Sequence, residues 1–171
     1  MTKVFIDGSQ GTTGLKIFDR LKKRDDIELI TVPDELRKDA AARKQAICDA
    51  DIAFLCLPDA AAIEAADLAS DCDTVIIDTS TAHRTSDGWT YGFPEIFENG
   101  FEKIASSKRI ASPGCYASGF IALVKPLIDN NIVSPDCNFY CHAMSGYSGA
   151  GKKGIALYEN DEIPLELCSP R

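Results

Sequence analysis

The chain is short of positive charge. Its 171 residues carry 18 Lys and Arg against 26 Asp and Glu, a formal net charge of −8. Nucleic-acid binders ordinarily need a basic stripe, so no nucleic-acid partner is expected. The nearest basic clusters are Lys22-Lys23-Arg24, which reads as the solvated end of a helix, and Lys152-Lys153, which follows a glycine-rich loop. Long apolar runs are missing as well. The longest, Ile52–Leu57, is far below the roughly 18–20 residues that span a bilayer, so no membrane partner is expected. The opening MTKVFIDG passes from Met into a strand without the apolar core of a signal peptide. A cytoplasmic protein is the expectation.

C-x-x-C pairs, repeats and low-complexity tracts are also absent. Seven cysteines stand at positions 48, 56, 72, 115, 137, 141 and 168. An odd number at irregular spacing, without a secretion signal, suggests reduced thiols. Cys137, Cys141 and His142 could suggest zinc. However, CNFYCHAM reads better as a strand with 137, 139 and 141 on one face, and no metal site is expected. What remains is an ordinary globular composition, 45% hydrophobic and 26% charged. The length suits a sizeable core but is short for two full domains.

The first 80 residues alternate strand and helix. Lys3–Ile6 is a short β-rich run, and Thr12–Lys23 has apolar residues at helical spacing. Ile27–Val32 is a second strand and Asp39–Cys48 an Ala-rich helix. Asp51–Leu57 is continuously apolar, as in a strand covered on both faces. Pro58 stops it, and Asp59 is placed to cap a helix running through Ser70. Thr74–Asp78 is a fourth strand. Strands spaced by such helices imply βαβ units, hence an α/β fold with a Rossmann-like, doubly wound parallel sheet. Residues 79–95 form a long polar loop with embedded aromatics, and loops of that length are usually functional. A helix is expected over Tyr116–Asp129 and a strand over Asn138–Ala143.

Residues 4–14, VFIDGSQGTTG, end a strand, pass three glycines and open a helix. Glycines let backbone approach a pyrophosphate, and the helix N-terminus adds free N–H groups and partial positive charge. The spacing is G-x-x-G-x-x-G rather than G-x-G-x-x-G, so position within the βαβ unit carries the signal. The alternative is a glycine-rich turn that binds nothing. Asp34 and Glu35 lie where an acid would favour NAD, while Arg37 and Lys38 could meet a 2′-phosphate; spacing leaves this open.

Pro113-Gly114 before Cys115, with a helix after it, puts a thiol at a helix N-terminus, a position that favours the reactive thiolate. A buried helix-capping cysteine is the other reading. Ser145–Gly154, SGYSGAGKKG, offers hydroxyls, backbone amides and two lysines to an anion, or else is a plain solvent loop. A hydride-carrier loop, a thiol and an anion loop together suit reduction of an activated acyl group through a thioester.

Six segments in fixed order carry a family resemblance: DGSQGTTG near the start, FLCLPD at 54–59, DTSTAHR at 78–84, WTYGFPE at 89–95, SPGCYASGFIAL at 112–123 and HAMSGYSGAGKKG at 142–154. They resemble the shorter type of the N-acetyl-γ-glutamyl-phosphate reductases of arginine biosynthesis. The resemblance implies NADPH-dependent reduction of N-acetyl-γ-glutamyl phosphate to N-acetylglutamate semialdehyde. It implies a cofactor domain over 1–114, followed over 115–171 by the first part of an α+β catalytic and dimerisation domain of the semialdehyde dehydrogenase type. It further implies Cys115 as nucleophile and a homo-oligomer, dimer or tetramer, at full length. NADP would lie against Gly8, Ser9, Gly11, Thr12, Thr13, Gly14, Leu57, Pro58 and Ser80. The acyl-phosphate substrate would lie against Ser145, Ser148, Gly149 and Lys152. Ser112 stands where the family usually has Asn. The family's general base, a histidine, is expected beyond residue 171; its loss would cost about 10²–10⁴ in rate. His83 is expected to be structural or near the nicotinamide, and His142 a core or hydrogen-bonding residue. The other readings are a semialdehyde dehydrogenase acting on aspartyl phosphate and a non-catalytic NADP-binding module.

Overall fold

The computed structural model describes residues 1–144 and 146–160, without the side chains at 148 and 150–153. The order is β1 (Thr2–Asp7), α1 (Thr12–Leu21), β2 (Ile27–Ile30), α2 (Ala40–Cys48), β3 (Ile52–Leu55), α3 (Asp59–Leu68) and β4 (Val75–Asp78). Then come β5 (Thr90–Tyr91), α4 (Gly100–Ala105), β6 (Arg109–Ala111), α5 (Cys115–Asp129) and α6 (Gly151–Glu159). The strands make one sheet in the order β2-β1-β3-β4-β6-β5, every pair parallel. The expected doubly wound α/β fold is therefore present.

Burial explains the strand sequences. Val4, Phe5, Ile6, Ala53, Leu55 and Ile76 are buried in the sheet, and Ile47, Ala62, Ala65 and Ala69 pack on it from α2, α3 and the turn that follows. The chain leaves β1 toward β2 on one side and toward β3 on the other. Such a reversal opens a crevice at the carboxyl ends of the strands, where ligands of open α/β sheets bind.

Packing divides the chain into two compact units, Met1–Phe139 and Tyr140–Arg171. Helix α5 thus packs with the first unit, whereas the expected division at 114/115 was drawn from motifs. In the second, a 3-10 turn at Tyr147–Ala150 leads into α6, and the Tyr147 hydroxyl donates to Glu159 at 2.6 Å.

Four expectations need correction. Residues 138–143 form no strand, because β-prone residues without a neighbouring strand gain no ladder hydrogen bonds. The loop 79–95 contains β5, a two-residue strand paired with β6, and neither had a recognisable pattern at that length. The cysteines are not all reduced thiols, since Cys48 and Cys72 form a disulfide. Asp59 does not cap α3: Pro58 is the N-cap, and the Asp59 carboxylate instead accepts the backbone N–H and hydroxyl of Thr81 at 2.9 and 2.5 Å. Those bonds hold Asp59 below the usual carboxylate range.

Asp39 does what was expected of Asp59. It caps α2, accepting the Ala42 N–H at 2.8 Å. Urea denaturation of Asp39→Ala should therefore show a loss of about 1 kcal/mol, the usual worth of an N-cap. An unchanged midpoint would mean the cap contributes nothing.

Candidate active site

The glycine loop is built by close backbone approach. Gly8 has φ +84°, and a Cβ there would stand 2.3 Å from the Cys56 carbonyl oxygen. A Cβ on Gly14 would stand 2.3 Å from the Gly8 carbonyl oxygen, so the first turn of α1 can lie on the loop only as glycine. Gly11 is the N-cap of α1 and supplies no side-chain cap, and the first turn holds no acid. Its N–H groups and positive dipole end are not neutralised from within the helix.

A cavity of about 560 Å³ opens beside this loop. Gly8, Ser9 and Leu57 of the expected cofactor residues line it, as do Asp34, Arg37 and Arg43. Gly11, Thr12, Thr13 and Gly14 form the cap and first turn of α1, and Pro58 is the N-cap of α3. Ser80 is buried, its hydroxyl donating to Asp78 at 2.7 Å. Of the four residues weighed for ribose selection, Asp34 and Arg37 border the cavity and form an ion pair with each other.

Arg43 was not found from sequence. It is buried on α2, Nε donating to Asp7 at 3.0 Å and Nη1 to Glu64 at 3.4 Å. Nη2 lies 2.9 Å from the same Asp7 oxygen but off the hydrogen-bond direction, so this buried donor has no hydrogen-bond partner. Desolvation raises the Asp7 carboxyl above its ordinary range, and Arg43 opposes that shift. Nothing in its neighbouring residues signals this role.

At the end of β4, Asp78 is wholly buried. Its carboxylate accepts the Ser80 N–H at 2.9 Å and hydroxyl at 2.7 Å, and His83 Nδ1 lies 2.7 Å away. The His83 ring stacks on Trp89 with centroids 3.9 Å apart. His83 is therefore tied into the structure by Asp78 and Trp89. His142 is exposed, so of its two expected roles, core or hydrogen-bonding, the core one does not hold.

Cys115 is the first residue of α5 and is exposed, so it is not a buried capping cysteine. Gly114 is the N-cap, with no side-chain cap and no acid in the first turn. The approach to Cys115 is held from β4: Ser112 N–H donates to the Asp78 carbonyl at 2.7 Å, and Arg84 Nε donates to the Ser112 carbonyl at 3.1 Å. The Arg84 guanidinium lies so close that a Cβ on Gly114 would be 2.6 Å from Nη1. Arg84, like Arg43, was not singled out from sequence.

Of the anion loop, Ser145 lies outside the described residues. Gly149 follows in a 3-10 turn, its N–H donating to the Gly146 carbonyl at 2.9 Å; Ser148 shares that turn and Lys152 sits in α6. Among the described residues one group, Cys48, Asp71 and Cys72, has metal-ligand spacing, and its two sulfurs are bonded to each other. No helix among the described residues is long and apolar enough to cross a membrane.

Residues 34–104 match the NAD-binding domain of the semialdehyde dehydrogenases, and residues 115–165 match their dimerisation domain. A protein of Nostoc sp. (strain PCC 7120) named N-acetyl-γ-glutamyl-phosphate reductase 2 is 48% identical over 158 residues, 92% of this chain and 49% of that one. Its namesake from Pseudomonas putida is 49% identical over 156 residues, 91% of this chain and 50% of that one. Over the matched length this chain is similar to the N-acetyl-γ-glutamyl-phosphate reductases, and its two matched segments are those of the semialdehyde dehydrogenases. It spans about half the length of the curated relatives it matches. Among solved structures, an aspartate semialdehyde dehydrogenase from Francisella tularensis superposes with TM-score 0.64 at 15% identity, covering 98% of this chain and 52% of that one. The enzyme from Candida albicans, solved with NADP, gives TM-score 0.53 at 15% identity over 75% of this chain and 47% of that one. At such identity these matches speak to the fold alone.

Cys56 and Cys115 separate by environment. Burial pushes the Cys56 thiol up to about 11, whereas Cys115 is exposed. Iodoacetamide at pH 8 should label Cys115 at least 10-fold faster than Cys56, with Cys56 accelerating only as pH approaches 11. Equal rates by peptide mass mapping would contradict the burial of Cys56.

Proposed function

We propose that this chain carries the cofactor site and the nucleophile of an NADPH-dependent N-acetyl-γ-glutamyl-phosphate reductase of arginine biosynthesis, working in the cytoplasm. The observation that carries the reading is Cys115 exposed at an uncapped helix N-terminus, beside the Arg84 guanidinium, on a dinucleotide-type sheet. The choice of substrate rests on relatives at 48–49% identity rather than on fold neighbours at 15%.

The residues fit a dinucleotide. The Gly8–Gly14 contact keeps the loop low enough for close approach, and Nη2 of buried Arg43, ion-paired with Asp7 but without a hydrogen-bond partner, borders the cavity as a donor. When bound, NADPH supplies hydride. Gly8, Ser9 and the start of α1 would hold its pyrophosphate. Arg37 would exchange Asp34 for a 2′-phosphate, which makes NADP rather than NAD the cofactor.

The Cys115 thiolate attacks the acyl carbon and phosphate leaves, giving a thioester. Once the acyl carbon had received the hydride that NADPH would supply, Cys115 would leave as thiolate by cleavage of the C–S bond, releasing the semialdehyde. Backbone N–H groups at the start of α5 face the developing oxyanion, and Arg84 offsets charge on the phosphate. Ser145, Ser148, Gly149 and Lys152 would bind substrate. Homo-oligomerisation through the segment from residue 115 fits the apolar but unburied α5, where Leu123 is 75% exposed.

Mixing the chain with N-acetyl-γ-glutamyl phosphate should release phosphate and add one acyl group, located by mass spectrometry on Cys115 and absent in Cys115→Ala. Added NADPH should then remove it as the aldehyde. Acylation elsewhere, or none in a chain that binds NADPH, would overturn the proposal. In a second measurement, fluorescence titration of Arg37→Ala should show NADPH binding weakened by about 10-fold with NADH binding unchanged, the worth of one charge-assisted contact. Equal losses for both nucleotides would remove Arg37 from 2′-phosphate selection.

A further inference from the structure

The Cys48–Cys72 disulfide has no part in the chemistry above. The glycine loop and Cys115 follow the carboxyl ends of β1 and β6, whereas Cys48 ends α2 just before β3, and Cys72 stands just before β4. The bond therefore sits at the amino edge of the sheet. It joins residues 24 apart in sequence and encloses β3 and α3.

Three features set this pair apart from a buried crosslink. Cys48 is exposed, and Cys72 is half-buried against the core, so one sulfur is open to attack and its partner is recessed. Noncovalent contacts bracket the bond. Lys44, one helical turn before Cys48, pairs with Asp71 at 2.9 Å, and the buried Thr74 hydroxyl donates to the Ile47 carbonyl at 2.7 Å. The buried Thr74 bond holds the two connections together without the covalent bond, the exposed ion pair adding little. A reduced pair would stay aligned for closure, and bond formation would demand no rearrangement.

We propose that Cys48 and Cys72 form a reversible dithiol–disulfide site that exchanges with a low-molecular-weight thiol couple of the glutathione type and sets the stability of the domain. The Cys48 thiolate attacks the disulfide of the oxidised small thiol, forming a mixed disulfide and expelling one small thiolate. The Cys72 thiolate then attacks the Cys48 sulfur, closing the protein disulfide and expelling the second. The protein loses two electrons and two protons, and the small disulfide becomes two thiols. Exposed disulfides are the labile ones, which makes exchange at Cys48 accessible in both directions. Closure restricts the unfolded chain, so the oxidised form melts higher.

The test equilibrates the 171-residue chain in buffers spanning reduced to oxidised glutathione, followed by acid quench, alkylation and peptide mapping. The Cys48–Cys72 link should pass from absent to complete within that range, and reduction should lower Tm by about 5–10 °C. Cys72→Ser should trap glutathione on Cys48, whereas Cys48→Ser should abolish the link and leave Tm insensitive to the buffer. A link that survives the most reducing buffer would make it a fixed crosslink and overturn the proposal. So would pairing of either residue with another cysteine, glutathione adducts without closure in the unmutated chain, or an unchanged Tm.

Discussion

A carboxylate with no solvent exposure, Asp78, is the constraint on which the candidate site depends. A buried carboxylate must be fully partnered, or its desolvation outweighs whatever put it there. Asp78 ends β4, so most of its partners must come from the residues that follow. Ser80 and His83 supply them only if the chain curls back at once. That curl, clamped by Trp89 against His83 and by Asp59 against Thr81, is what aims Arg84 at the Ser112 carbonyl. Asp78 also accepts Ser112 through its own main chain, so one residue fixes both loops that meet at Cys115.

The same logic operates at the end of β1 with a distant partner. Asp7 is paired with Arg43 from α2, whose Nη1 also reaches the exposed Glu64. The acids near the site are therefore already committed: Asp7 to Arg43, Asp78 to Ser80 and His83, Asp59 to Thr81. What stays uncompensated is the positive end of two helices, α1 and α5, each without an acid in its first turn and without a side-chain cap. An acidic chain, net −8, thus keeps two anion-attracting points by spending its nearby carboxylates on internal partners.

Much of this was legible in the sequence, for a local reason. Parallel strands buried on both faces are continuous apolar runs, and DIAFLCL and TVIID show it without any knowledge of their neighbours. Gly8 and Gly14 are visible because only glycine tolerates the approach of the Cys56 and Gly8 backbone carbonyls. Asp59 was legible as an acid at a helix start but not in its role, because Pro58 took the cap and freed the carboxylate for Thr81. The strand expected at 138–143 failed for the complementary reason. Its residues have the propensity, and a strand exists only where another strand lies beside it.

The illegible residues share one property: their partners are far away in sequence. Arg43 meets Asp7 across 36 residues, and Arg84 meets Ser112 across 28. Cys48 meets Cys72 across 24. Nothing in the residues around Arg43 distinguishes it from Lys44, its neighbour on the same helix, whose ion pair is exposed and adds little to stability. The difference is one of facing. A step of one residue turns the side chain by about 100°, carrying Arg43 inward to the carboxyl edge of β1 and Lys44 outward to the turn before β4. Which face points inward is decided by the strand order, and the order is settled only when the sheet assembles. A long-range pair is therefore read from the fold, while the motifs that announce the fold are read from the chain.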